Sequence, residues 1–343
     1  MNIKRIGIDI AKNVFQLHGV NAKEETVLKK KLKRQQFLHF LMTKVNKDCL
    51  LAMESCGGSN HWGRELTKAG FTVKLIPAQY VKPYVKRNKN DANDAEAICE
   101  AVSRPNMQFV PVKTIEQQDM QAIHRVRSEL VKQRTMKVNQ IRGLTTEYGI
   151  IAAKGIAQIK KAIPDWLEED NGLSSLFREI LSDLYQQLKK LDEQVKHYGE
   201  KLKLLSNLTT EASRLLTIPG IGPLTATALV AAVGDGKQFK RGRSMSAWLG
   251  LTPRQHSSGG KDVLLGITKA GDKYLRTLFI HGARAVLSKS ANKKDKTSLW
   301  ATRLHEHKHM NLAAVALANK NARIAWAILT KGTKFESDYV HSF

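Results

Sequence analysis

The stretch that most constrains the fold lies near the start of the chain, at Arg5–Lys12 (RIGIDIAK). Isoleucines alternate there with Gly7 and Asp9, and this period of two with β-branched residues predicts a strand rather than a helix. Gly7 has no side chain, so another backbone or a ligand can approach closely. An ionised Asp9 in such a strand is costly unless it is paired or holds a metal. The stretch therefore predicts a buried strand whose acid needs partners.

Residues 1–112 have the pattern of an α/β domain, a mixed sheet with flanking helices. Strands are expected at residues 3–9, 13–19, 24–31, 49–54, 71–76 and 109–112, and helices at 34–44, 60–69 and 91–103. Two further regions follow, a basic helix and coiled coil at 113–210 and a mainly helical domain at 211–343.

Three more acids stand at predicted element ends in the first domain. Glu54 ends an apolar run, and a Gly-Gly pair that permits a tight turn follows it. Asp91 and Asp94 in the segment RNKNDANDAE are three residues apart, so they share one helix face near its start. Capping and the helix dipole explain either aspartate taken alone, and that alternative stays open.

Four convergent carboxylates would repel one another, and divalent cations relieve such repulsion. Ligands that are all oxygen favour Mg²⁺ or Mn²⁺, and the sequence has no His/Cys cluster of the zinc type. Two such ions about 4 Å apart can activate a nucleophile and stabilise a leaving oxygen in phosphoryl transfer. The candidate metal ligands are Asp9, Glu54, Asp91 and Asp94.

The formal net charge of +25 indicates a polyanionic partner, because a basic surface binds phosphate backbones through counterion release. A merely basic, soluble protein is the alternative. Residues 115–150 have the pattern of one long basic helix, for which a solvated face is the alternative. Candidate nucleic-acid contacts on this helix and in the last region are Arg125, Arg127, Lys132, Arg134, Lys137, Arg142, Arg254, Lys269 and Arg276.

Apolar residues between Phe177 and Leu205 alternate spacings of four and three, which is typical of a coiled-coil seam of about four heptads. The seam could pair with the basic helix or with another protomer, and the sequence does not decide. We favour an antiparallel hairpin that also contributes to dimerisation. In the preceding segment, Pro164 and Asn171-Gly172 interrupt the helical periodicity.

The last region opens on IPGIGPLTATAL, a helix-hairpin-helix-like segment whose second helix could hold a phosphate at its N-terminal amides. Generic helix-turn-helix packing is the alternative. Ser257-Ser258-Gly259-Gly260 has the composition of a flexible loop. Most serines in such loops are inert, and one becomes a nucleophile only beside a base or a metal. By itself, this pattern makes Ser258 a weak catalytic candidate.

The end of the chain alternates apolar and basic residues and closes on a predicted helix at 312–329. His305, His307 and His309 alternate within a predicted helix, where positions two apart do not share a face. We therefore interpret them as solvated or phosphate-facing, not as a metal site.

Features that would direct the chain elsewhere are missing from the sequence. The longest apolar run is too short to span a membrane, and the start does not resemble a signal peptide. The three cysteines, Cys49, Cys56 and Cys99, have no metal spacing and are expected to be buried packing. The expectation is a cytoplasmic, nucleoid-associated bacterial protein with no membrane contact.

Five segments taken together resemble the IS110/IS1111 family of insertion-sequence transposases. In order along nearly the whole chain they are GIDIAK, MESCGG, KNDANDAEAI, IPGIGPLTATAL and GLTPRQHSSGGKDVLLGITKAGDKYLR. The resemblance implies an N-terminal RuvC-like domain of the RNase H fold with a DEDD acid set, matched here by Asp9, Glu54, Asp91 and Asp94. It also implies a C-terminal transposase domain with a serine in a Ser-Gly step. That serine is Ser258, because Gly259 follows it, and Ser257 is one residue away.

The resemblance implies a mechanism as well. Metal at the acids would assist Ser258 in forming a phosphoserine bond to one DNA strand, with release of a 3′-hydroxyl and no need for ATP. The family uses a structured non-coding RNA of its own element to pair with donor and target DNA, and the protein would bind RNA shape and backbone. A homo-oligomer is expected, a dimer and then a tetramer in the synaptic complex. A composite site with Ser258 of one protomer and the acids of another is one arrangement, and a site within one chain is the other.

Three other functions compete with this one. A Holliday-junction endonuclease would use the same acids with water as the nucleophile. A sugar-kinase or actin-like ATPase also has a GID strand, but it needs small residues after the aspartate, where this chain has Ala11-Lys12-Asn13-Val14. A non-catalytic nucleic-acid scaffold would have no use for four clustered acids.

Overall fold

The structure, a computed structural model, describes residues 2–86, 90–293 and 295–336. The first residues of the acidic segment, 87–89, and Lys294 in the basic tail lie outside the described residues. The chain forms two compact units, Met1–Ile115 and Glu116–Phe343, and each is considered by itself.

The first unit is built on a five-stranded mixed sheet with the strand order β3-β2-β1-β4-β5. Strands β1 to β3 pair antiparallel, whereas β1, β4 and β5 pair parallel. The strands are β1 (Arg5–Ile10), β2 (Val14–Val20), β3 (Thr26–Lys33), β4 (Leu50–Glu54) and β5 (Thr72–Ile76). The helices are α1 (Arg34–Lys44), α2 (Ser59–Lys68), the short α3 (Ala78–Val81) with a 3₁₀ turn at Lys82–Tyr84, and α4 (Asp91–Ala101). The predicted mixed sheet with flanking helices is confirmed.

The strand predicted at 109–112 is wrong. Only one bridge forms there, between Leu75 and Val110. Pro111 follows at once and has no amide hydrogen to donate, so the ladder cannot continue.

Two apolar layers cover the sheet. On one face, Ile6, Ile8 and Met53 pack with buried side chains of α1 and α2, where the rings of Phe15, Phe37 and Trp62 meet edge to face. On the other face, Ala52 and Ile76 pack with Ile98 and its neighbours on α4. Each layer buries its apolar face because the strand residues alternate between the two sides.

Gly7 allows α4 to lie directly on β1. A Cβ atom built on Gly7 would be 2.2 Å from the carbonyl oxygen of Ala95 and 2.4 Å from the amide nitrogen of Cys99. Both atoms belong to the backbone of α4, so neither can turn away. The close approach predicted for Gly7 is confirmed, and the approaching group is a helix backbone.

We expect Gly7→Ala to push α4 off the sheet and to lower the free energy of unfolding by at least about 3 kcal/mol, because overpacking against backbone cannot relax. The melting temperature would then fall by about 6–12 °C. Gly57→Ala is the matched control, since nothing lies within 4 Å of a Cβ atom built there. Equal melting temperatures for the two variants would show that α4 does not depend on Gly7.

The second unit is mainly helical. Its helices are α5 (Ile115–Thr146), α6 (Ile156–Glu168), α7 (Ser175–Leu208), α8 (Thr210–Leu215), α9 (Pro223–Val233), α10 (Gly242–Trp248), α11 (Lys273–Ser290), α12 (Lys296–His307) and α13 (Met310–Lys331). A two-stranded hairpin, β6 (Pro253–Ser258) and β7 (Lys261–Ile267), interrupts the helices. The main core of this unit is formed by α8, α9, α10, α11 and α13.

The seam of α7 is buried within the chain. Phe177, Leu181, Leu184 and Leu188 pack with residues of α5 and α6, while the end of α7 lies against α9. α5 and α7 run antiparallel, as the favoured hairpin requires, since Arg134 pairs with Asp192 and the Tyr148 ring lies 4.2 Å from the Phe177 ring. A coiled coil is not confirmed, because α6 also packs into this seam. Pro164 interrupts the helical periodicity of the sequence, but α6 runs through it. The Lys160 carbonyl, which the missing proline amide leaves without a helical donor, lies 3.4 Å from the hydroxyl of Tyr185.

His124 forms a buried polar chain in the second unit. Its Nε2 lies 2.9 Å from the hydroxyl of Thr227, which donates to the carbonyl of Pro223, so Nε2–H is the donor to Thr227. Its Nδ1 lies 3.0 Å from the hydroxyl of Tyr274 and accepts from it. Burial, with a smaller contribution from Arg127, lowers the pKa of His124 to about 4. The ring is therefore neutral at neutral pH.

We expect the protein to lose stability as pH falls below the ordinary histidine pKa. The unfolded chain takes up a proton at His124 near pH 6.5, while the folded chain resists it until about pH 4, so the contribution is full above pH 6.5 and decreases below it. Between pH 7 and 5 this loss is about 2 kcal/mol. Urea unfolding at a series of pH values measures it, and His124→Gln should remove that part of the pH dependence. An unchanged dependence in the variant would contradict the assignment.

In the part of the chain that the structure describes, no helix is both long enough and apolar enough to cross a membrane.

Candidate active site

Two of the four acids lie at one edge of the sheet. β1 and β4 are adjacent and parallel, and Ile8 is paired with Met53. Asp9 follows Ile8 and Glu54 follows Met53, so the two acids lie side by side on the adjacent strands. Side chains at matched positions of parallel strands share a face. Both acids therefore project from the α4 face, the face of Gly7.

Helix α4 adds the other two acids. Asp91 and Asp94 lie in its first turn. The side chain of Asn90 caps this helix by accepting from the amide of Asn93 at 2.9 Å. The two aspartates are therefore not needed as caps, and their favourable interaction with the helix dipole is the alternative that stays open. The contact of α4 with β1 at Gly7 brings this first turn toward the sheet edge.

The charges of all three other acids act on the pKa of Asp9. Its pKa is raised to about 6, first by burial and then by the negative charges of Asp91, Asp94 and Glu54. The structure therefore brings the four predicted acids together around a half-buried carboxylate. Partial shielding of the Cys56 thiol from water, with smaller contributions from the charges of Glu54 and Asp9, raises its pKa, so this thiol stays protonated at neutral pH although the residue as a whole is exposed.

The acids fit a divalent cation by their chemistry. Mg²⁺ and Mn²⁺ prefer oxygen ligands and relieve the repulsion between clustered carboxylates. Across residues 2–86, 90–293 and 295–336, no three His, Cys, Asp or Glu side chains stand in the geometry of a completed metal site. The four carboxylates are thus near one another without forming a closed cage.

Ser258 lies at the tip of the β6–β7 hairpin. The expectation of a flexible loop is wrong, because Ser258 pairs with Lys261 across a two-residue turn. The turn residues Gly259 and Gly260 have φ values of 57° and 78°, as a type I′ turn requires. All residues of β6 are exposed, so the serine stands at the solvent-exposed tip of a hairpin.

The two faces of the hairpin tip differ. On one face the hydroxyl of Ser257 donates to the carboxylate of Asp262 at 2.5 Å, and the amide of Gln255 donates to the same carboxylate at 3.1 Å. Ser257 and Gln255 thereby lower the pKa of Asp262. On the opposite face Ser258 stands beside Lys261, and its hydroxyl makes no hydrogen bond to any described residue. The hydroxyl of Ser257 is thus held by Asp262, whereas the hydroxyl of Ser258 can contact a bound molecule.

Arg276 anchors the base of the hairpin. It is buried, and its Nη1 donates to the carbonyls of Leu249 at 3.1 Å and Ala270 at 2.7 Å. Gly271 also lies against the end of α10, since a Cβ atom built on it would be 1.9 Å from the carbonyl oxygen of Trp248. Arg276 was predicted as a nucleic-acid contact, but its guanidinium is used inside the unit, and no pattern in the sequence indicates this internal role. Arg254 and Lys269 remain exposed near the hairpin.

The predicted contacts on α5 divide into two groups. Arg134 pairs with Asp192 at 2.9 Å, and Arg142 donates to the carbonyls of Ala153 and Gly155, so both serve the fold. Arg125 and Lys132 are exposed, and Arg127 and Lys137 are partly exposed.

Two smaller expectations need correction. Cys49 and Cys99 are buried, but Cys56 is exposed. The three histidines do not share one helix, because α12 ends at His307 and His309 caps α13 by accepting from the amide of Asn311.

Comparison with known proteins covers nearly the whole chain. A family model described as "Transposase IS116/IS110/IS902 family" matches residues 212–298, and a second one, of the DEDD IS110 type and described as "Transposase", matches residues 6–150. A "Probable family 20 transposase" of Pseudomonas aeruginosa is 48% identical over 97% of this chain and 98% of its own. The "Transposase for insertion sequence element IS1111A" of Coxiella burnetii is 49% identical over 96% and 90%. The "Transposase for insertion sequence element IS1328" of Yersinia enterocolitica is 43% identical over 97% and 99%.

Proposed function

The chain belongs to the IS116/IS110/IS902 family of transposases, and we propose that it recombines DNA with an acid site in its first unit and a serine nucleophile in its second. As a transposase it acts on DNA. The observation that supports the acid site best is geometric: Asp9 and Glu54 stand side by side on adjacent parallel strands, and the first turn of α4 carries Asp91 and Asp94 on the same face. The pKa of Asp9 agrees with this arrangement, since burial and then the three other carboxylates raise it to about 6.

Asp9, Glu54, Asp91 and Asp94 would hold the divalent metal. A bound Mg²⁺ or Mn²⁺ ion would supply positive charge that stabilises the phosphate during attack and the oxygen that leaves. The acids themselves position that charge, since two come from the ends of rigid strands and two from one helix turn.

Ser258 is the proposed nucleophile. Its Oγ would attack a DNA phosphorus and lose its proton, and the bond from phosphorus to the 3′-oxygen would break. The 3′-oxygen takes up a proton and leaves as a hydroxyl, while the phosphate stays esterified to Ser258. Attack by a 3′-hydroxyl of another strand would then release the serine and form a new phosphodiester. One ester replaces another at each step, so no ATP is required.

Two features of the hairpin support Ser258 over Ser257. Ser258 has a free hydroxyl and stands beside Lys261, whose ammonium can neutralise a phosphate. Ser257 is engaged with Asp262, which leaves a carboxylate on its face. A phosphate would be repelled from that face.

A guide RNA and a homo-oligomer complete the proposal. The net charge of +25 and the exposed cations on α5 support binding of more nucleic acid than one duplex. Base pairing of a structured RNA would read donor and target sequences, while the protein holds the RNA backbone. A dimer, and a tetramer in the synaptic complex, would bring serine and acid sites of different protomers to the same DNA.

Strand exchange in solution tests this function. Purified protein is incubated with DNA that carries the element ends, with target DNA, with Mg²⁺, and with RNA transcribed from the non-coding sequence beside the reading frame. We expect joined donor–target products that depend on the RNA. Nicked products without joining would favour the junction endonuclease that uses water.

A further inference from the structure

Three lysines of the edge strand β3 lie on the same face of the sheet as the four acids. Strand β3 carries Lys29, Lys31 and Lys33 at every second position, and all three are exposed. The buried Leu28 and Leu32 alternate with them and belong to the apolar layer of α1 and α2. Successive side chains of a strand point to opposite faces. The three lysines therefore project from the face that carries α4 and the acids.

The strand pairings place Lys31 level with Asp9. Gln16 of β2 is paired with Asp9 on one side and with Lys31 on the other. Glu54 continues this row on β4, beside Asp9. Residues directly opposite one another on adjacent antiparallel strands share a face. Because neighbouring strands are about 4.8 Å apart, the Cα atom of Lys31 lies about 10 Å from that of Asp9.

Lys33 lies at the same edge of the sheet as the acids. Strands β1 and β3 run in the same direction, since both pair antiparallel with β2. Lys33 is the last residue of β3, and Asp9 is the last residue but one of β1. Lys31 and Lys33 thus flank the acid site on the side of β3.

The other two lysines of this run have contacts within the unit. Lys29 lies further from the acid edge, close enough to Glu96 of α4 for their charges to interact. Lys30 projects from the α1 face, where its ammonium lies 4.6 Å from the centre of the Phe40 ring. The remaining two lysines of β3 are therefore the ones that a molecule at the acid site would meet.

We propose that Lys31 and Lys33 bind the DNA phosphates that flank the phosphate at the acid site. This role rests on the proposed function of the four acids, and DNA is the partner because the chain is a transposase. Clustered carboxylates repel a DNA backbone, and ammonium groups on the same face offset that repulsion. Lysine contacts phosphate as a point charge without reading base sequence, so β3 holds DNA of any sequence beside the acids.

Protection of the sheet edge is the competing explanation. Lysines on an exposed edge strand hinder its pairing with the edge of another sheet. Any lysine of the strand can do this, including Lys30 on the α1 face. Contact with DNA at the acid site instead requires lysines on the acid face. The two explanations therefore predict different results for substitutions on the two faces of β3.

Lys31→Gln combined with Lys33→Gln tests the role of these lysines in the full-length protein. Equilibrium binding of duplex DNA that carries an element end is measured in EDTA at several salt concentrations, with the transcribed non-coding RNA present, so that no cleavage is needed. We expect the affinity for DNA to fall about tenfold at about 0.15 M salt, with the slope of log K against log salt reduced by about 2. Lys31→Arg combined with Lys33→Arg keeps the charge and should bind like the parent.

Lys30→Gln combined with Lys44→Gln is the matched control. It removes the same charge from exposed positions of the same unit, one on the α1 face of β3 and one in the last turn of α1. Its affinity for DNA should stay within about twofold of the parent. Circular dichroism and size-exclusion chromatography check that each variant is folded and has not aggregated.

Cleavage of the same DNA with Mg²⁺ separates this contact from the function on which it rests. We expect Lys31→Gln combined with Lys33→Gln to need about tenfold more DNA for half-maximal cleavage. A parent protein that binds DNA through these lysines but does not cleave it would contradict the acid site and still support the contact. Unchanged affinity for DNA in this double variant, an equal loss in the control, or a loss confined to RNA binding would overturn the proposal.

Discussion

Asp9→Asn is expected to abolish strand cleavage and yet to raise the melting temperature of the EDTA-treated protein at neutral pH. Cleavage should fall by about a thousandfold or more, because a ligand of the proposed metal site is lost. Stability should rise because Asp9 is a half-buried carboxylate beside three others, with a pKa raised to about 6. Removing its charge relieves that repulsion.

The sign follows from the two proton affinities. The folded chain binds the Asp9 proton more tightly than the unfolded chain, whose aspartate titrates near pH 4, so this residue costs stability as pH rises from about 4 to about 6. After allowance for solvent screening, the expected gain in Asp9→Asn at pH 7.5 is about 1–2 kcal/mol, or about 3–6 °C. Thermal unfolding with EDTA measures it.

Asp48→Asn is the control, because this substitution removes the same charge from an exposed position of the same unit. It should leave both cleavage and melting temperature almost unchanged. A lower melting temperature in Asp9→Asn would mean that Asp9 stabilises the fold as an ion pair, and the acid site would lose its main support.

Ser258→Ala is expected to lower strand exchange by about 10⁴-fold or more, since loss of a nucleophile removes the covalent step itself. Ser257→Ala should stay within about tenfold of the parent, because it breaks only an exposed hydrogen bond to Asp262. The pair is matched, since the two serines are neighbours on one exposed strand. Both variants should therefore fold alike.

Gel analysis of joined products measures this difference. A large loss in Ser257→Ala with little loss in Ser258→Ala would move the nucleophile by one residue. Equal and small losses in both would indicate that neither serine attacks DNA, and water would become the better candidate.

The first unit was predictable because local signals agreed with its fold. Alternating isoleucines and Gly7 predict a buried strand with a close neighbour, and α4 provides that neighbour. Asp9 and Glu54 each end an apolar run, and parallel pairing of β1 with β4 brings them to one edge. The position of Asp91 and Asp94 could not be read from the sequence, because it depends on how α4 crosses the sheet.

The second unit shows where sequence patterns mislead. The heptads of α7 predict a partner helix but not which one, and several helices of the same chain share the role. The composition of Ser-Ser-Gly-Gly predicts a flexible loop, where the structure has the tip of a hairpin. A Gly-Gly pair between two short runs is itself a hairpin signal, and the following Val263-Leu264-Leu265 is a strand pattern.

Mapping the covalent bond between protein and DNA tests the central claim most directly. The parent protein is incubated with element-end DNA, Mg²⁺ and RNA, denatured, digested with protease and nuclease, and analysed by mass spectrometry. We predict a nucleotide phosphate on the Oγ atom of Ser258, and no adduct in Asp9→Asn. Joined DNA products without any protein–DNA adduct, or an adduct on another residue, would contradict the account.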